Sequence, residues 1–240
     1  MYSIKALLLA AGLGTRLKPY TLEKPKCLIE INGEPILGRW IKTLGSIGCN
    51  SCLINTHYLA NQVERYCRGL PIQEMRIETS YEKNLLGTAG TLIANQKFFD
   101  STLGIMLHAD NFTNICLDDL IVAHLNRPSE CLLTMLTFTT DDPQSCGIVK
   151  TNERGVVTEF FEKVKNPPGN QANGAVYVFD NDLFSEIKDI NPEASDFSSE
   201  ILPKLIGKIY AWHTDQPYID IGTPKRLQEA RAFAMRCGNL

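Results

Sequence analysis

The first apolar run of the chain, Ala6 to Ala11, is free of charge and too short for a helix of its own. It predicts a strand buried on both faces, as in a parallel sheet. Cys27 to Ile31 is a second short apolar segment, and Asn32-Gly33 marks a turn. Pro35 suits a first helical turn, and Ile36, Leu37, Trp40, Ile41, Leu44 and Ile47 then recur at helical spacing up to Gly48. Cys52–Asn55 reads as a strand, Ala60–Arg68 as a helix and Met75–Thr79 as a strand. This alternation predicts a doubly wound α/β sheet with right-handed crossovers.

The stretch Tyr81 to Gly90 opens a further helix running to about Asn95. A strand over Gly104–His108, a helix over Leu117–Asn126 and a strand over Cys131–Phe138 complete the regular alternation. From Gly147 the pattern shifts to short β-like runs, 147–150, 156–162 and 175–179. Helices near 182–188 and 198–206 follow, then strands near 209–213 and 218–223. Thr223 and Pro224 form an N-cap and first turn for a last helix to about Arg236. The expectation is one compact domain in two lobes, residues 1–140 and 141–240, the second smaller and richer in β-structure.

Composition narrows this little. With 240 residues, 44% hydrophobic and 21% charged, the chain is an ordinary globular protein. Its net charge of −3 argues against a nucleic-acid partner. No apolar run reaches the ~20 residues of a spanning helix and no signal peptide precedes the first strand, so a cytoplasmic location away from membranes is expected. The eight cysteines lie in apolar contexts and read as reduced, mostly buried thiols. Cys49-Asn50-Ser51-Cys52 lacks the second pair that a zinc knuckle needs.

The candidate chemistry begins where the first strand ends. Gly12-Leu13-Gly14-Thr15-Arg16 lets a backbone turn sharply and approach a ligand, and Arg16, Lys18, Lys24 and Lys26 add cations beyond it. A glycine loop after a strand, with basic groups nearby, is a phosphate-holding arrangement. The P-loop pattern is absent, and Leu17 stands where a dinucleotide loop needs its third glycine. That substitution disfavours a nicotinamide oxidoreductase.

The longer pattern is more specific. Leu9-Ala10-Ala11-Gly12-x-Gly14-Thr15-Arg16-Leu17-x-Pro19-x-Thr21, then Pro25-Lys26, then Gly33-x-Pro35-Ile36-Leu37, resembles the sugar-phosphate nucleotidyltransferases, or nucleotide-sugar pyrophosphorylases. The resemblance covers Ala6 to about Ala230 and implies a Rossmann-like, mixed, mainly parallel sheet with a smaller β-rich sugar-binding lobe. No C-terminal left-handed β-helix is expected after the last helix. The implied activity transfers a nucleotidyl group from a nucleoside triphosphate to a sugar 1-phosphate, releasing pyrophosphate, with Mg²⁺ as cofactor.

By that resemblance Leu9, Ala10, Ala11, Gly12, Gly14, Thr15, Arg16, Lys26, Gly87 and Thr88 bind the nucleotide. Arg16, Lys26 and Asp110 are the catalytic candidates. Asp110, after the central strand, and Asp220, within Asp220-Ile221-Gly222-Thr223-Pro224, match the family's metal-binding aspartates. The usual glycine before the first of these is Ala109 here, preceded by His108. Asn111, Glu162, Lys163, Asn173 and Gly174 fall on the sugar-phosphate side, although Val164 replaces the usual proline after Glu162-Lys163. Cys27 likewise stands where the family often has proline after its lysine.

Glu82 falls where family members read the base edge. Guanine presents N1–H and a 2-amino group side by side, two donors that suit one carboxylate. GTP is therefore the expected donor and mannose 1-phosphate, or a related hexose or heptose 1-phosphate, the expected acceptor. UTP, CTP, dTTP or ATP as donor, a non-sugar acceptor such as phosphocholine, and a non-catalytic regulatory subunit remain alternatives. Oligomeric state is left open, a homodimer being one option.

Overall fold

The structure is a computed structural model and describes residues 3–71, 75–100 and 102–237. In chain order the elements begin with β1 (Ile4–Leu9), β2 (Glu30–Ile31), β3 (Glu34–Pro35), α1 (Ile36–Ser46), β4 (Ser51–Thr56) and α2 (Ala60–Arg68). They continue through β5 (Arg76–Tyr81), α3 (Gly87–Ala94), β6 (Leu103–His108), β7 (Asn111–Thr113), α4 (Leu117–Leu125) and β8 (Leu133–Thr139). After β9 (Gly147–Thr151), β10 (Val157–Glu162) and β11 (Gln171–Phe179) come α5 (Asp182–Ile190), β12 (Ile209–Thr214), β13 (Tyr218–Asp220) and α6 (Pro224–Cys237). The architecture is a mixed, mainly parallel central sheet with flanking helices, as the resemblance implied.

Two compact units divide the chain. One, the loop unit, consists of Ala6–Leu85, His108–Asn114 and Pro217–Leu240. The other, the strand unit, consists of Met1–Lys5, Leu86–Leu107 and Ile115–Gln216. Neither is a sequential half, which differs from a division near residue 140. In the loop unit β13 pairs antiparallel with β7, and α6 follows it and packs on β2, so this late helix lies with the first eighty residues. A local change of pattern cannot reveal such a return, because it depends on pairing between segments about a hundred residues apart.

Within the loop unit β4 lies between β1 and β5, and β4 runs parallel to β5 from Ser51↔Arg76 to Thr56↔Tyr81. Ala6, Leu7 and Leu8 are fully buried, as a strand covered on both faces requires. The apolar stripe of α1 buries Ile36, Leu37, Trp40, Ile41 and Leu44.

Within the strand unit β11 is the organising strand, pairing antiparallel with β6, β8 and β9, while β12 runs parallel to β8. It begins at Gln171, four residues before the run 175–179, because Gln171, Ala172 and Asn173 pair with Thr139, Phe138 and Thr137. The polar Asn173-Gly174 pair reads as a turn in sequence. In the fold it is a bulge, with Ala175 at φ 52° and the register broken between Asn173 and Tyr177. Phe99 and Phe179 pack with centroids 5.1 Å apart, and a Cβ on Gly104 would lie 2.3 Å from the Phe179 ring. The helix expected over 198–206 is instead a π-turn at Phe197–Ile201 followed by a 3₁₀ turn at Leu202–Lys204. Pro203 inside that stretch has no N–H to continue an α-helical ladder.

Candidate active site

The loop after β1 is held by its own backbone. Gly14 sits at φ 62°, ψ 28°, and its carbonyl accepts from the Leu17 N–H at 3.0 Å and the Thr21 hydroxyl at 2.7 Å. A Cβ at Gly14 would meet Thr21 Cγ2 at 2.8 Å, so glycine is required for both reasons. The short 3₁₀ turn Thr15–Leu17 then buries Leu17 completely and leaves Arg16 outward, its side chain 71% exposed. The missing third glycine is thus replaced by a core anchor.

Pro25, at φ −65°, leads into a second 3₁₀ turn, Lys26–Leu28, that buries Cys27 and Leu28. The Lys26 side chain, 11% exposed, reaches Asp110 and Asp220 together. Its ammonium donates to Asp110 Oδ2, and to Asp220 Oδ1 at 2.8 Å. Arg16 Nη2 stands 3.9 Å from the other oxygen of Asp220. Burial would lower the Lys26 pKa, but the charges of Asp110 and Asp220 outweigh it and raise the pKa. For Asp110 burial pushes upward, while Lys26, and then His108, pull harder and leave its pKa lowered. Both groups are therefore held in their charged forms.

The convergence of the aspartates has a backbone cause. Asp220 is the register partner of Asn111 in the β7–β13 ladder, and the Ile221 N–H donates to the Asp110 carbonyl at 3.3 Å. The turn carrying Asp110 is tied to β1 by the Ala109 N–H, which donates to Leu9 O at 3.0 Å. Among the described residues the positive-φ non-glycines are Asn32, Leu59, Lys163 and Ala175, so Ala109 needs no glycine freedom. Asn111 is buried, with its amide donating to the Tyr218 hydroxyl at 2.8 Å and its carbonyl accepting from Trp40 Nε1 at 2.8 Å.

Among the described residues no group of three or more His, Cys, Asp or Glu side chains could hold a metal. What the loop unit offers is a pair of hard oxygen donors already converging on one cation, the Lys26 ammonium. That set fits Mg²⁺, which is commonly held by one or two carboxylates with phosphate oxygens and waters completing its shell.

Glu82, just beyond β5, is 5% exposed and Asn55, in β4, is 4% exposed. The Asn55 amide joins two neighbours: it accepts from the Ala10 N–H at 2.7 Å and donates to Glu82 Oε1 at 2.9 Å. Nothing in the glycine-loop pattern marks Asn55; the polar residue ending an otherwise apolar strand was its only signal.

The remaining candidates belong to the strand unit. Gly87 starts α3 at φ 78°, where a Cβ would lie 2.2 Å from the Ser195 carbonyl oxygen. Thr88 Oγ1 accepts from the Phe197 N–H at 2.7 Å, and the Ala89 N–H donates to Ser195 O at 2.9 Å. Glu162 ends β10 and pairs with Lys163 at 3.1 Å. Asn173 donates to the Tyr177 hydroxyl at 2.7 Å and its Oδ1 accepts from the Ala175 N–H at 2.8 Å. Burial pushes the Tyr177 phenol upward, and it stays protonated beside Asn173 and Ser198. Tyr177 is a polar group that the reading of Asn173 alone did not single out.

The thiols are inert by comparison. Cys27, Cys49, Cys52, Cys67 and Cys131 are buried and form no disulfide, and burial raises the pKa of Cys49, Cys67 and Cys131 to about 11. Cys116 is exposed, Cys146 is half-buried, and the side chain of Cys237 lies outside the described residues.

A family model described as Nucleotidyl transferase matches residues 5–236. The chain belongs to the nucleotidyl transferase family. A mannose-1-phosphate guanylyltransferase catalytic subunit beta of Drosophila melanogaster is 29% identical over 227 residues, covering 92% of this chain and 60% of that protein. A UTP–glucose-1-phosphate uridylyltransferase of Synechocystis is 30% identical over 253 residues, covering 97% of this chain and 64% of that protein. This nucleotidyl transferase chain thus spans about 60% of the length of curated relatives it matches. A solved Bacillus anthracis structure, assigned as a glucose-1-phosphate thymidylyltransferase and holding sucrose, superposes with a TM-score of 0.87. At 22% identity, over 99% of this chain and 97% of that one, it shows the shared fold. Among the described residues no helix is long and apolar enough to cross a membrane.

Proposed function

We propose that this chain transfers a nucleotidyl group from a nucleoside triphosphate to a sugar 1-phosphate and releases pyrophosphate. The observation that carries the reading is the meeting of Lys26, Asp110 and Asp220 on one ammonium, with Arg16 at 3.9 Å from Asp220. Phosphoryl and nucleotidyl transfers need little covalent help; positioning and charge neutralisation supply most of the acceleration. A phosphate oxygen of the sugar 1-phosphate attacks the α-phosphorus in line. The bond from that phosphorus to the bridging β-phosphate oxygen breaks, and pyrophosphate leaves with its electron pair. The nucleophile is already anionic, so no general base is required.

In this reading the glycine loop from Leu9 to Thr15 receives the phosphates on backbone N–H groups. Arg16 grips phosphate oxygens with its planar fork, and Lys26 turns from the aspartates to the charge developing at the α-phosphate. Asp110 and Asp220 would hold Mg²⁺, which when bound neutralises phosphate charge. Gly87 and Thr88 are likewise assigned to the nucleotide. Asn111, Glu162, Lys163, Asn173 and Gly174 are assigned to the sugar phosphate, where the buried amide of Asn111 and the half-buried Glu162 and Asn173 side chains would read hydroxyl groups.

GTP is the proposed donor and mannose 1-phosphate, or a related hexose or heptose 1-phosphate, the proposed acceptor. The support is the buried carboxylate of Glu82, matched to the two adjacent donors of guanine, together with the name of the Drosophila relative. The Synechocystis relative favours UTP as the second reading. The reaction is proposed for the cytoplasm, where nucleoside triphosphates are supplied. Pyrophosphate release from four nucleoside triphosphates, each against mannose, glucose and heptose 1-phosphates, tests this. Faster turnover with UTP or dTTP than with GTP at equal concentration would sink the base assignment, and no release with any pair would sink the activity.

A further inference from the structure

β4 ends in Asn55-Thr56 and runs on into His57-Tyr58, a segment to which the proposed reaction gives no task. Its bonds nevertheless reach the two places where a nucleotide would lie. The Tyr58 hydroxyl contacts the carbonyls of Thr21 at 2.9 Å and Leu22 at 3.0 Å, and the Thr21 hydroxyl in turn donates to Gly14 O in the glycine loop at 2.7 Å. The Asn55 side chain takes the Ala10 N–H, and so bounds the loop at its near end. On the other side the segment grips Glu82 three times. Thr56 O accepts from the Glu82 N–H at 2.8 Å, His57 Nδ1 lies 2.8 Å from the Glu82 carbonyl, and the Asn55 amide donates to the carboxylate.

The orientation of the Asn55 amide follows from chemistry. A backbone N–H can only donate and a carboxylate only accepts, so the oxygen faces Ala10 and the nitrogen faces Glu82. We propose that Asn55 is a positioning residue for base selection, fixing the Glu82 carboxylate at a set distance from the phosphate loop. The proposal rests on the reading that Glu82 faces the base. Base and triphosphate are parts of one ligand, so selectivity requires that the groups reading each end keep a constant spacing. One amide bonded at both ends supplies that constraint. It also gives the carboxylate of Glu82, a residue 5% exposed, one of the hydrogen-bond donors that a buried charge requires.

A staple that merely holds β4 to its neighbours would make the same bonds, so the test must separate the two roles. Asn55→Asp keeps an acceptor for Ala10 and sets a second carboxylate against Glu82. Asn55→Asp with Glu82→Gln reverses the pair and restores a donor–acceptor bond. Binding of GTP, UTP, dTTP and tripolyphosphate to the full chain with Mg²⁺ is measured by calorimetry for the wild type, both single variants and the double variant. Positioning predicts that Asn55→Asp lowers the wild-type preference among bases by about tenfold or more, while tripolyphosphate affinity stays within about twofold. It also predicts that the double variant recovers thermal stability without recovering the preference.

An unchanged preference in Asn55→Asp, alongside a lost one in Glu82→Gln, overturns the role of Asn55 and leaves the Glu82 reading standing. An unchanged preference in Glu82→Gln overturns the Glu82 reading, and the proposal with it. Should Asn55→Asp fail to fold, Asn55→Ser supplies the same comparison. Equal weakening of all four ligands in that variant marks a staple only and overturns the proposal.

Discussion

Replacing Lys26 by methionine removes the ammonium on which Asp110 and Asp220 converge while keeping an unbranched side chain of similar length. Breaking a buried ion pair by removing one partner costs about 3–5 kcal/mol, because a charge stays behind without compensation. An exposed pair is worth only about 0–1 kcal/mol. The Lys26 and Asp110 side chains are 11% and 25% exposed and belong near the first case; Asp220, at 52%, belongs to the second. A loss of about 3 kcal/mol follows, a fall in Tm of roughly 6–12 °C for a chain of this size. Turnover should fall by about 10²–10³-fold, the usual consequence of losing one group that stabilises developing charge. The two carboxylates of the variant then face one another, so millimolar Mg²⁺ without nucleotide should return part of the lost Tm. In the wild type the ammonium already neutralises them and the same addition should change Tm little. Scanning calorimetry of both proteins, with and without MgCl₂, checks each arm. A variant melting within about 1 °C of the wild type, or equal shifts with Mg²⁺, would refute the reasoning.

Arg16→Ala removes a side chain that is 71% exposed, so stability should change by no more than about 0.5 kcal/mol while turnover drops severely; near wild-type activity would remove Arg16 from the mechanism. His124 is fully buried, with Nδ1 2.8 Å from the Thr134 hydroxyl, and burial followed by the Arg127 charge depresses its pKa to about 4. The unfolded chain then binds the extra proton between about pH 6.5 and 4, so this contribution is complete above pH 6.5 and is lost as pH falls, on the order of 3 kcal/mol in all. His124→Gln should flatten the stability profile over that window, and denaturant midpoints running parallel for the two proteins would contradict it. Alkylation of the native protein followed by peptide mass mapping should mark Cys116 and leave Cys27, Cys49, Cys52 and Cys67 unmodified; labelling of those four at the Cys116 rate would disprove their burial.

Much of the fold was legible because it is local. The helix over Ala60–Arg68 and the apolar runs behind β1, β4 and β6 carry their periods in consecutive residues. The Thr223 cap is likewise local, its hydroxyl accepting from the Arg226 N–H at 3.3 Å. Where polar residues sit inside a strand, as in Gln171–Asn173, the local signal points to a turn and only pairing with β8 makes it a ladder. β7 was invisible for the same reason: three residues of mixed polarity become a strand only when β13 arrives beside them.

The amino-acid sequence alone singled out the glycine loop, the basic residues after it and the two aspartates, since each lies in a contiguous motif. Tertiary structure decided that Lys26 meets Asp110 across 84 residues and Asp220 across 194. It also decided that Asn55 links the loop to Glu82 and that the last helix packs with the first strands. Contiguous patterns encode periodicity and turn chemistry, which depend on neighbours. Convergence depends on strand register and chain return, which are settled by packing among distant segments and leave no mark in any single stretch.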